Sequence, residues 1–435
     1  MKPWAESLLR RFCPHSEKSM VERLWERKQY RKWANYLLVE YQMARGHALM
    51  LGRPYWLAVD PTNFCQLQCP FCPTGAGRGV RDKAALTLEH FTRFLDQVGP
   101  SVIHIDMMNW GEPTLNKELP AMIAAAKRHG IEVKVDSNLN DLTEAMADGL
   151  VRSGLDVLSV SIDGASQETY EKYRVGGRLE SVLENVRKLA RKKKELASPT
   201  PLLLWQFLVF KHNEHEAELA QKMARELGMD EGNVLPAFLP NESRILAAWL
   251  PGRKDYRLYE PPDGAPQAAA DPLAVVRIQD TIPARSYRTR RFRQEQLYGP
   301  RHLLRRRRAD VWSRAWTALR LRPESKGAAV PFAGAPPQPI CKWPWAGMTV
   351  NPNGSVSPCC SVEDQADDFG NIFDGLFGML WNGSKYRRSR RHVSRYARGK
   401  TPIQPGSEHV CERCTAIGYA NFRFRIPEHR PGPSR

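Results

Sequence analysis

Six short apolar runs, each followed by a longer amphipathic stretch, constrain this chain more than any other feature. They read YWLAVD (55–60), VIHIDMM (102–108), IEVKVD (131–136), LDVLSVSID (155–163), LLLWQFLVF (202–210) and NVLPAF (233–238). Helix candidates lie between them: LTLEHFTRFLDQV, KELPAMIAAAKRHG, LTEAMADGLVRSG, the pair SQETYEKYR and LESVLENVRKLARKKKEL, and EHEAELAQKMARELG. Gly130, Gly154 and Gly228 close three of these helices, where a left-handed C-cap is expected. Strands alternating with helices imply a parallel sheet. The expected fold is α/β: a partial (β/α)6 TIM-like barrel over 53–240, with a doubly wound open sheet as the competing closure.

The flanking regions divide naturally. Residues 1–52 read as an N-terminal helical region, because Val21, Leu24, Trp25, Tyr30, Trp33, Leu37 and Leu38 recur at roughly helical spacing. They are expected to pack on the barrel, with membrane-surface docking as the alternative. Residues 241–339 break the pattern with Pro-rich and Arg-rich stretches and read as an insertion or linker holding one helix near DVWSRAWTALR. A small α+β module follows over 340–425, then a tail over 426–435.

Charge is local. The net +18 concentrates at 285–326, where fourteen Lys/Arg face three Asp/Glu, and in KYRRSRRHVSRYARGK (385–400). The plain reading is solvated helix faces; the alternatives are a lid meeting an anionic substrate or an acidic membrane surface, with nucleic acid disfavoured because few aromatics interleave the charges. No apolar run reaches the roughly 20 residues of a membrane span, and no signal peptide is recognisable. The expected location is cytoplasmic.

In such a compartment clustered cysteines are metal ligands more often than disulfides. Nine are present, and none lies between 73 and 340. Cys65, Cys69 and Cys72 sit on the loop PTNFCQLQCPFCPTG directly after the first strand. Three thiolates at this spacing bind three corners of a [4Fe–4S] cube and leave the fourth iron open to a ligand. A structural zinc site would want a fourth ligand nearby, and the ten residues after Cys72 contain no Cys or His. The second group is Cys341, Cys359, Cys411 and Cys414, with a turn at Asn353-Gly354 expected to bring Cys341 and Cys359 together. Four thiolates suit a [4Fe–4S] cluster or a zinc ion equally by spacing. Cys360 is the spare thiol and Cys13 has no partner.

The CxxxCxxC loop and the motifs after it resemble the radical S-adenosylmethionine (SAM) superfamily, over about 54–240 and again from 340. That resemblance implies SAM bound at the open iron of the first cluster and a 5′-deoxyadenosyl radical that abstracts hydrogen from a substrate. It also implies an external electron donor such as flavodoxin or ferredoxin. Residue by residue, Gly111, Glu112 and Pro113 resemble the family's GGE/GEP motif, with Glu112 facing the SAM ammonium and Gly111 permitting close backbone approach. Ser137 and Asn138 resemble the ribose- and carboxylate-contacting segment, Ser161 and Asp163 a recurrent strand end, Arg174 the partner of the SAM carboxylate, and Phe71 the aromatic beside adenine. The C-terminal module resembles SPASM/twitch domains but lacks the full seven-cysteine pattern, which implies one auxiliary cluster.

Such enzymes include 2-deoxy-scyllo-inosamine dehydrogenase and peptide-modifying maturases. No peptide-leader-binding region is recognisable in 1–52, so the expected substrate is a small, sugar-like or phosphorylated metabolite undergoing dehydrogenation or epimerisation. A maturase of a ribosomally made peptide is the alternative, and a cluster-bearing nucleic-acid-binding or regulatory protein the alternative of another class. The residue that carries catalysis is not named by any motif.

Overall fold

The computed structural model describes residues 17–78, 81–237, 239, 243–257 and 341–414. Cys13, the basic segment 285–326 with its expected helix, and the tail 426–435 lie outside them. Six strands run in chain order: β1 (Trp56–Val59), β2 (His104–Met107), β3 (Glu132–Ser137), β4 (Val157–Ser161), β5 (Leu202–Val209) and β6 (Glu231–Pro236). Each pairs in parallel with the next. Every crossover therefore advances one strand in the same direction. A doubly wound sheet reverses direction at a switch point, so the sequential order identifies a partial (β/α)6 barrel. The last strand begins at Glu231, two residues before the run that marks it in the sequence.

The crossover helices fall where the amphipathic stretches are. Thr87, Thr143 and Ser166 cap three of them by accepting a hydrogen bond from the backbone N–H of His90, Met146 and Thr169. Gly130, Gly154 and Gly228 adopt φ of +62°, +78° and +70°, the left-handed closure that L side chains resist. The odd strand positions Leu57, Val59, Ile105, Met107, Val133 and Val135 are buried in the main hydrophobic core against these helices.

Two N-terminal helices, α1 (Lys18–Glu26) and α2 (Tyr30–Arg45), pack on the barrel through Met20, Val21, Leu24, Tyr36, Val39 and Met43. Arg27 Nη1 lies 2.6 Å from Oε1 of Glu132, the first residue of β3, and Lys32 Nζ donates to the Gly130 carbonyl at 2.7 Å. The helices thus seal the N-terminal end of the barrel.

The segment read as an insertion from 241 opens with a packed helix, α3 (Ser243–Trp249), whose Trp249 is fully buried in a cluster with Phe210, Ile245 and Leu246. The barrel therefore extends beyond 240. The polar and proline-rich residues after it obscure this helix in the sequence, since seven residues are too few to display a period.

The C-terminal module shares the barrel's sheet. Its first strand, β7 (Gly347–Val350), pairs in parallel with β1, Trp56 opposite Gly347 and Val59 opposite Val350. β8 (Ser355–Ser357) returns antiparallel, and β9 (Gly370–Asn371) ends the nine-stranded order β6-β5-β4-β3-β2-β1-β7-β8-β9. The turn between β7 and β8 has Gly354 at φ +80°. A one-turn helix, Trp343–Ala346, precedes β7, and three helices follow β9 among the described residues: α4 (Phe377–Trp381), α5 (Ser384–Ala397) and the short α6 (Val410–Arg413). No helix among the described residues is long and apolar enough to cross a membrane.

Candidate functional site

The loop after β1 is fastened to the loop after β2 by its backbone. Asp60 is fully buried and accepts hydrogen bonds from the N–H groups of Trp110 (3.2 Å) and Gly111 (3.3 Å). Burial pushes its carboxyl up to about 7, against those two bonds and the charge of Arg81. Thr62 Oγ1 donates to the Glu112 carbonyl at 3.0 Å, Glu112 N–H to the Phe64 carbonyl at 2.9 Å, and Asn116 Nδ2 to the carbonyls of Pro61 and Leu86 at 2.9 and 2.8 Å. A Cβ at Gly111 would stand 1.7 Å from the Thr62 carbonyl oxygen. What approaches Gly111 closely is therefore the cysteine loop itself. Gly75 plays the same part within the loop, a Cβ there meeting Cys69 N at 2.5 Å.

This loop presents Cys65, Cys69 and Cys72. Burial pushes the Cys65 thiol up to about 12 and the Cys69 thiol to about 11, the latter opposed by Arg174, and raises Cys72 as well. Three thiolates in these surroundings need a compensating cation, and a cube of iron and sulfide supplies one, so the donor set fits an iron–sulfur cluster. Two side chains already point N–H groups at the sulfurs: Asn138 Nδ2 at 3.4 Å from Cys65 Sγ, and Arg174 Nη1 at 3.9 Å from Cys69 Sγ.

The structure gathers the other motif residues around this loop. Glu112 is buried, and its Oε1 accepts from Thr114 N–H (3.1 Å), Thr114 Oγ1 (2.7 Å) and Ser137 Oγ (2.6 Å). Its Oε2 accepts from Asn138 N–H at 2.8 Å. Pro113 opens the buried 3-10 turn Pro113–Leu115 that aims the carboxylate. Arg174 Nε donates to Asp163 Oδ2 at 2.6 Å, and Asp163 is fully buried, also accepting from Leu208 N–H at 2.6 Å. The guanidinium expected to face a SAM carboxylate is thus anchored by Asp163 on one edge. Ser161 ends β4, buried and opposite Gln206. Phe71 lies with Trp249 (4.9 Å between ring centroids), Tyr173 (6.0 Å) and Phe210 (6.4 Å), an aromatic wall beside the cysteines.

The barrel's concave face carries charged residues that no motif marks. Trp56 Nε1 donates to Asp106 Oδ2 at 2.8 Å, His104 Nε2 lies 3.1 Å from Asp106 Oδ1, and Lys134 Nζ lies 2.7 Å from Asp136 Oδ1. Asp106 and Lys134 are opposite one another in the sheet. Burial would raise the Asp106 carboxyl, but His104, Lys134 and Trp56 together hold it below the ordinary value. The signal was present as alternation: in HIDM and EVKVDS every second residue is polar, which is the pattern of a strand with one polar face.

At the second site, Cys359 is half-buried; desolvation pushes its thiol well up, and it feels the charges of Cys360, Cys414, Cys411 and Cys341. Cys411 likewise feels Cys414 and Cys341. Cys341, Cys411 and Cys414 thus lie within electrostatic reach of Cys359, while burial and the charge of Asp106 of the barrel raise the Cys360 thiol. Ion pairs hold the converging segments: Arg81 to Asp368 (2.5 and 2.8 Å), Arg388 to Glu412 (2.7 and 2.9 Å), and Arg413 to Asp367. The basic run 385–400 is only partly a solvated face. Arg390 is fully buried, donating to the carbonyls of Pro344 (2.7 Å), Ala48 (3.0 Å) and Trp381 (2.9 Å).

Trp110 connects the two sites. Its N–H is bonded to Asp60 at the root of the first cysteine loop, and its indole Nε1 donates to the Val362 carbonyl at 3.3 Å, three residues after Cys359. The first cysteine group follows the C-terminal end of β1, where α/β barrels place their chemistry, and Trp110 ties the root of that loop to the segment after Cys359.

Family models match both cysteine-bearing regions. Residues 59–239 match the radical SAM superfamily model, and residues 341–415 match SPASM, an iron–sulfur cluster-binding domain. Curated relatives include an AdoMet-dependent heme synthase of Methanosarcina barkeri, 28% identical over 180 residues (41% of this chain, 49% of that protein). A PqqA peptide cyclase of Granulibacter bethesdensis is 27% identical over 175 residues (40% of this chain, 45% of that protein). The matched region thus spans about half the length of these relatives. Among solved structures, Streptococcus suis SuiB bound to S-adenosylmethionine superimposes with a TM-score of 0.48 at 14% identity, covering 83% of this chain and 73% of that one.

Proposed function

We propose that this chain, a radical SAM enzyme with a C-terminal SPASM-type iron–sulfur domain, abstracts a hydrogen atom from a ribosomally made peptide held at the mouth of its barrel. The observation that carries the reading is a three-cysteine loop at the C-terminal end of β1 in a barrel whose sheet the cysteine-bearing C-terminal module extends through β7, with Trp110 bonded to both parts. The peptide class is supported by the PqqA peptide cyclases among the relatives. The small-metabolite expectation leaned on the lack of a recognisable leader-binding region in 1–52. Its described part instead forms helices that seal the barrel floor, which says nothing about substrate size.

Cys65, Cys69 and Cys72 would hold the SAM-binding [4Fe–4S] cluster, and Cys341, Cys359, Cys411 and Cys414 the auxiliary one. When bound, the first cluster and SAM together supply a 5′-deoxyadenosyl radical, the species that abstracts hydrogen. The chain's own part is to position and exclude water. Glu112, fixed by Ser137 and Asn138, offers carboxylate oxygens to the SAM ammonium; Arg174, Ser161 and Asp163 border the carboxylate and ribose; Phe71 and its aromatic neighbours form the adenine wall. Asp106, kept ionised by His104 and Lys134, can accept a proton from the substrate. An electron donor of flavodoxin or ferredoxin type completes the set of partners.

A second reading, a small polar metabolite, is favoured by the charged row His104, Asp106, Lys134 and Asp136 and by the heme synthase relative. The experiment is anaerobic incubation of reduced protein with SAM and deuterated candidates, first peptides encoded beside its gene, then small metabolites. Deuterium appearing in 5′-deoxyadenosine from a peptide supports the maturase. Transfer only from a small molecule replaces it with the second reading, and no 5′-deoxyadenosine at all overturns both.

A further inference from the structure

The helix α5 has a second face that nothing above uses. Its inner side, with Tyr386, Arg390 and Val393, is buried in the module. On its outer side Arg388, Arg391, His392 and Arg395 follow one another at spacings of three, four and seven, the spacing of one helical face. With Thr401, Gln404 and Glu412 they line a cleft of about 250 Å³.

The charges in this cleft are unbalanced. Its one carboxylate, Glu412, is already spent: it takes a two-pronged contact from Arg388 at 2.7 and 2.9 Å and a hydrogen bond from Ser407 Oγ at 2.7 Å. These contacts hold its carboxyl down to about 2. Arg391 and Arg395 are exposed and have no acidic partner among the described residues. They stand one turn apart on one helix, where like charges repel. His392 is only 5% exposed, and its Nε2 has no hydrogen-bond partner among the described residues. A buried ring nitrogen left unpaired is destabilising, and this one belongs to a residue of the cleft wall.

One kind of ligand offsets all three features. We propose that this cleft binds an oxyanion, held by the guanidinium groups of Arg391 and Arg395 and by Nε2–H of His392, with Thr401 Oγ1 and Gln404 as further donors. Guanidinium forks match the oxygens of phosphate and of carboxylate alike. Donors arriving from a helix face and from the 401–404 segment surround the anion from more than one side, which suits a tetrahedral phosphate group. The site lies outside the barrel and is independent of the substrate proposed above. Glu412, the neighbour of Cys411, lines it, so an anion here would sit against the short helix that carries Cys411 and ends beside Cys414.

The test is calorimetric titration of inorganic phosphate, and separately of malonate, into the full-length protein in chloride buffer. Saturable phosphate binding at one site per chain is expected. Arg391→Ala and Arg395→Ala should each weaken it by about tenfold, and His392→Phe, which fills the ring's space without its nitrogens, should weaken it as well. Arg387→Ala is the control, an exposed arginine of the same helix that does not line the cleft. Phosphate bound more tightly than malonate assigns the site to a phosphate-bearing ligand, and the reverse order to a carboxylate-bearing one. No saturable binding of either anion, unchanged affinity in the Arg391 and Arg395 variants, or an equal loss from Arg387→Ala would overturn the proposal, the last by showing only a diffuse positive field.

Discussion

The two cysteine groups are built in opposite ways. Cys65, Cys69 and Cys72 come from one loop, and their geometry is set by backbone staples within two neighbouring loops: Asp60 to Trp110 and Gly111, Thr62 to Glu112, Asn116 to Pro61. Cys341, Cys359 and the pair Cys411 and Cys414 come from three separate places. They meet because β7 joins the edge of the barrel sheet, a hairpin returns, and ion pairs pull the 388 and 413 segments together. A local site survives as long as its loop does, whereas a distributed site stands or falls with the whole module. The first is thus suited to presenting an open iron, and the second to being closed by protein on all sides.

The largest effect that could break this contrast comes from the cysteines. Replacing Cys65, Cys69 and Cys72 by Ala should abolish 5′-deoxyadenosine formation and lower the iron content from about eight to about four per chain. Replacing Cys411 and Cys414 should remove iron from the second site and leave SAM cleavage without substrate largely intact. Loss of cleavage in both variants would mean that the two sites do not stand independently. Stoichiometric zinc with about four irons would make the C-terminal group a structural zinc site.

Next in size is Gly111→Ala. The added methyl would occupy the place of the Thr62 carbonyl, and overpacking of this kind costs about 1–3 kcal/mol. Here the strain falls on the cysteine loop, so the variant should lose iron at the first site before the second. Equal loss from both, followed by iron analysis and absorbance, would show that the damage spreads through the sheet.

Glu112→Ala should cost about 1.5–3 kcal/mol of SAM affinity, the worth of a hydrogen bond to a charged group. Because Glu112 also holds Ser137 and Asn138, a lower melting temperature is expected as well. Glu112→Gln, which keeps the shape and loses the charge, separates the two: it should retain more of the stability than of the affinity. Unchanged SAM binding in both variants would reduce Glu112 to a structural brace.

The remaining effect is a pH dependence. Asp60 titrates near 3.8 when exposed and near 7 when folded. Between those values the folded chain holds a proton that the unfolded chain has released. Stability should therefore fall as pH rises through this window, by at most about 1.4 kcal/mol per pH unit. Asp60→Asn should flatten that slope in denaturant titrations between pH 4 and 7. A slope unchanged by the substitution would show that the loop root is solvated and that the local site is less rigid than its hydrogen bonds imply.

Both sites were legible as cysteine groups, but to different depths. The spacing at 65, 69 and 72 marks the first because its ligands share one loop. Ser137, Asn138, Asp163 and Arg174 were named by resemblance; that Asn138 and Arg174 also face the cysteine sulfurs is visible only in three dimensions. Asp60, Thr62 and Asn116 were missed, since a buried Asp or Asn that ties two loops looks like any turn residue in the chain. The charged row of His104, Asp106, Lys134 and Asp136 was written in the alternation of β2 and β3, and was hidden because those runs were read for their apolar content.

Taken alone, the sequence determined the parallel β–α winding, the three-cysteine loop, the helix caps and the grouping of the remaining cysteines, all of which follow from periodicity or short spacing. Tertiary structure alone decided that the C-terminal module extends the barrel sheet, that Ser243–Trp249 packs against Phe210 at the end of β5, and that Arg390 is core while Arg391 beside it is surface. The physical reason is the range of the interactions. Local periodicity is set by the backbone and is repeated every two or 3.6 residues. Which of two adjacent arginines is buried depends on partners hundreds of residues away, such as Ala48 for Arg390.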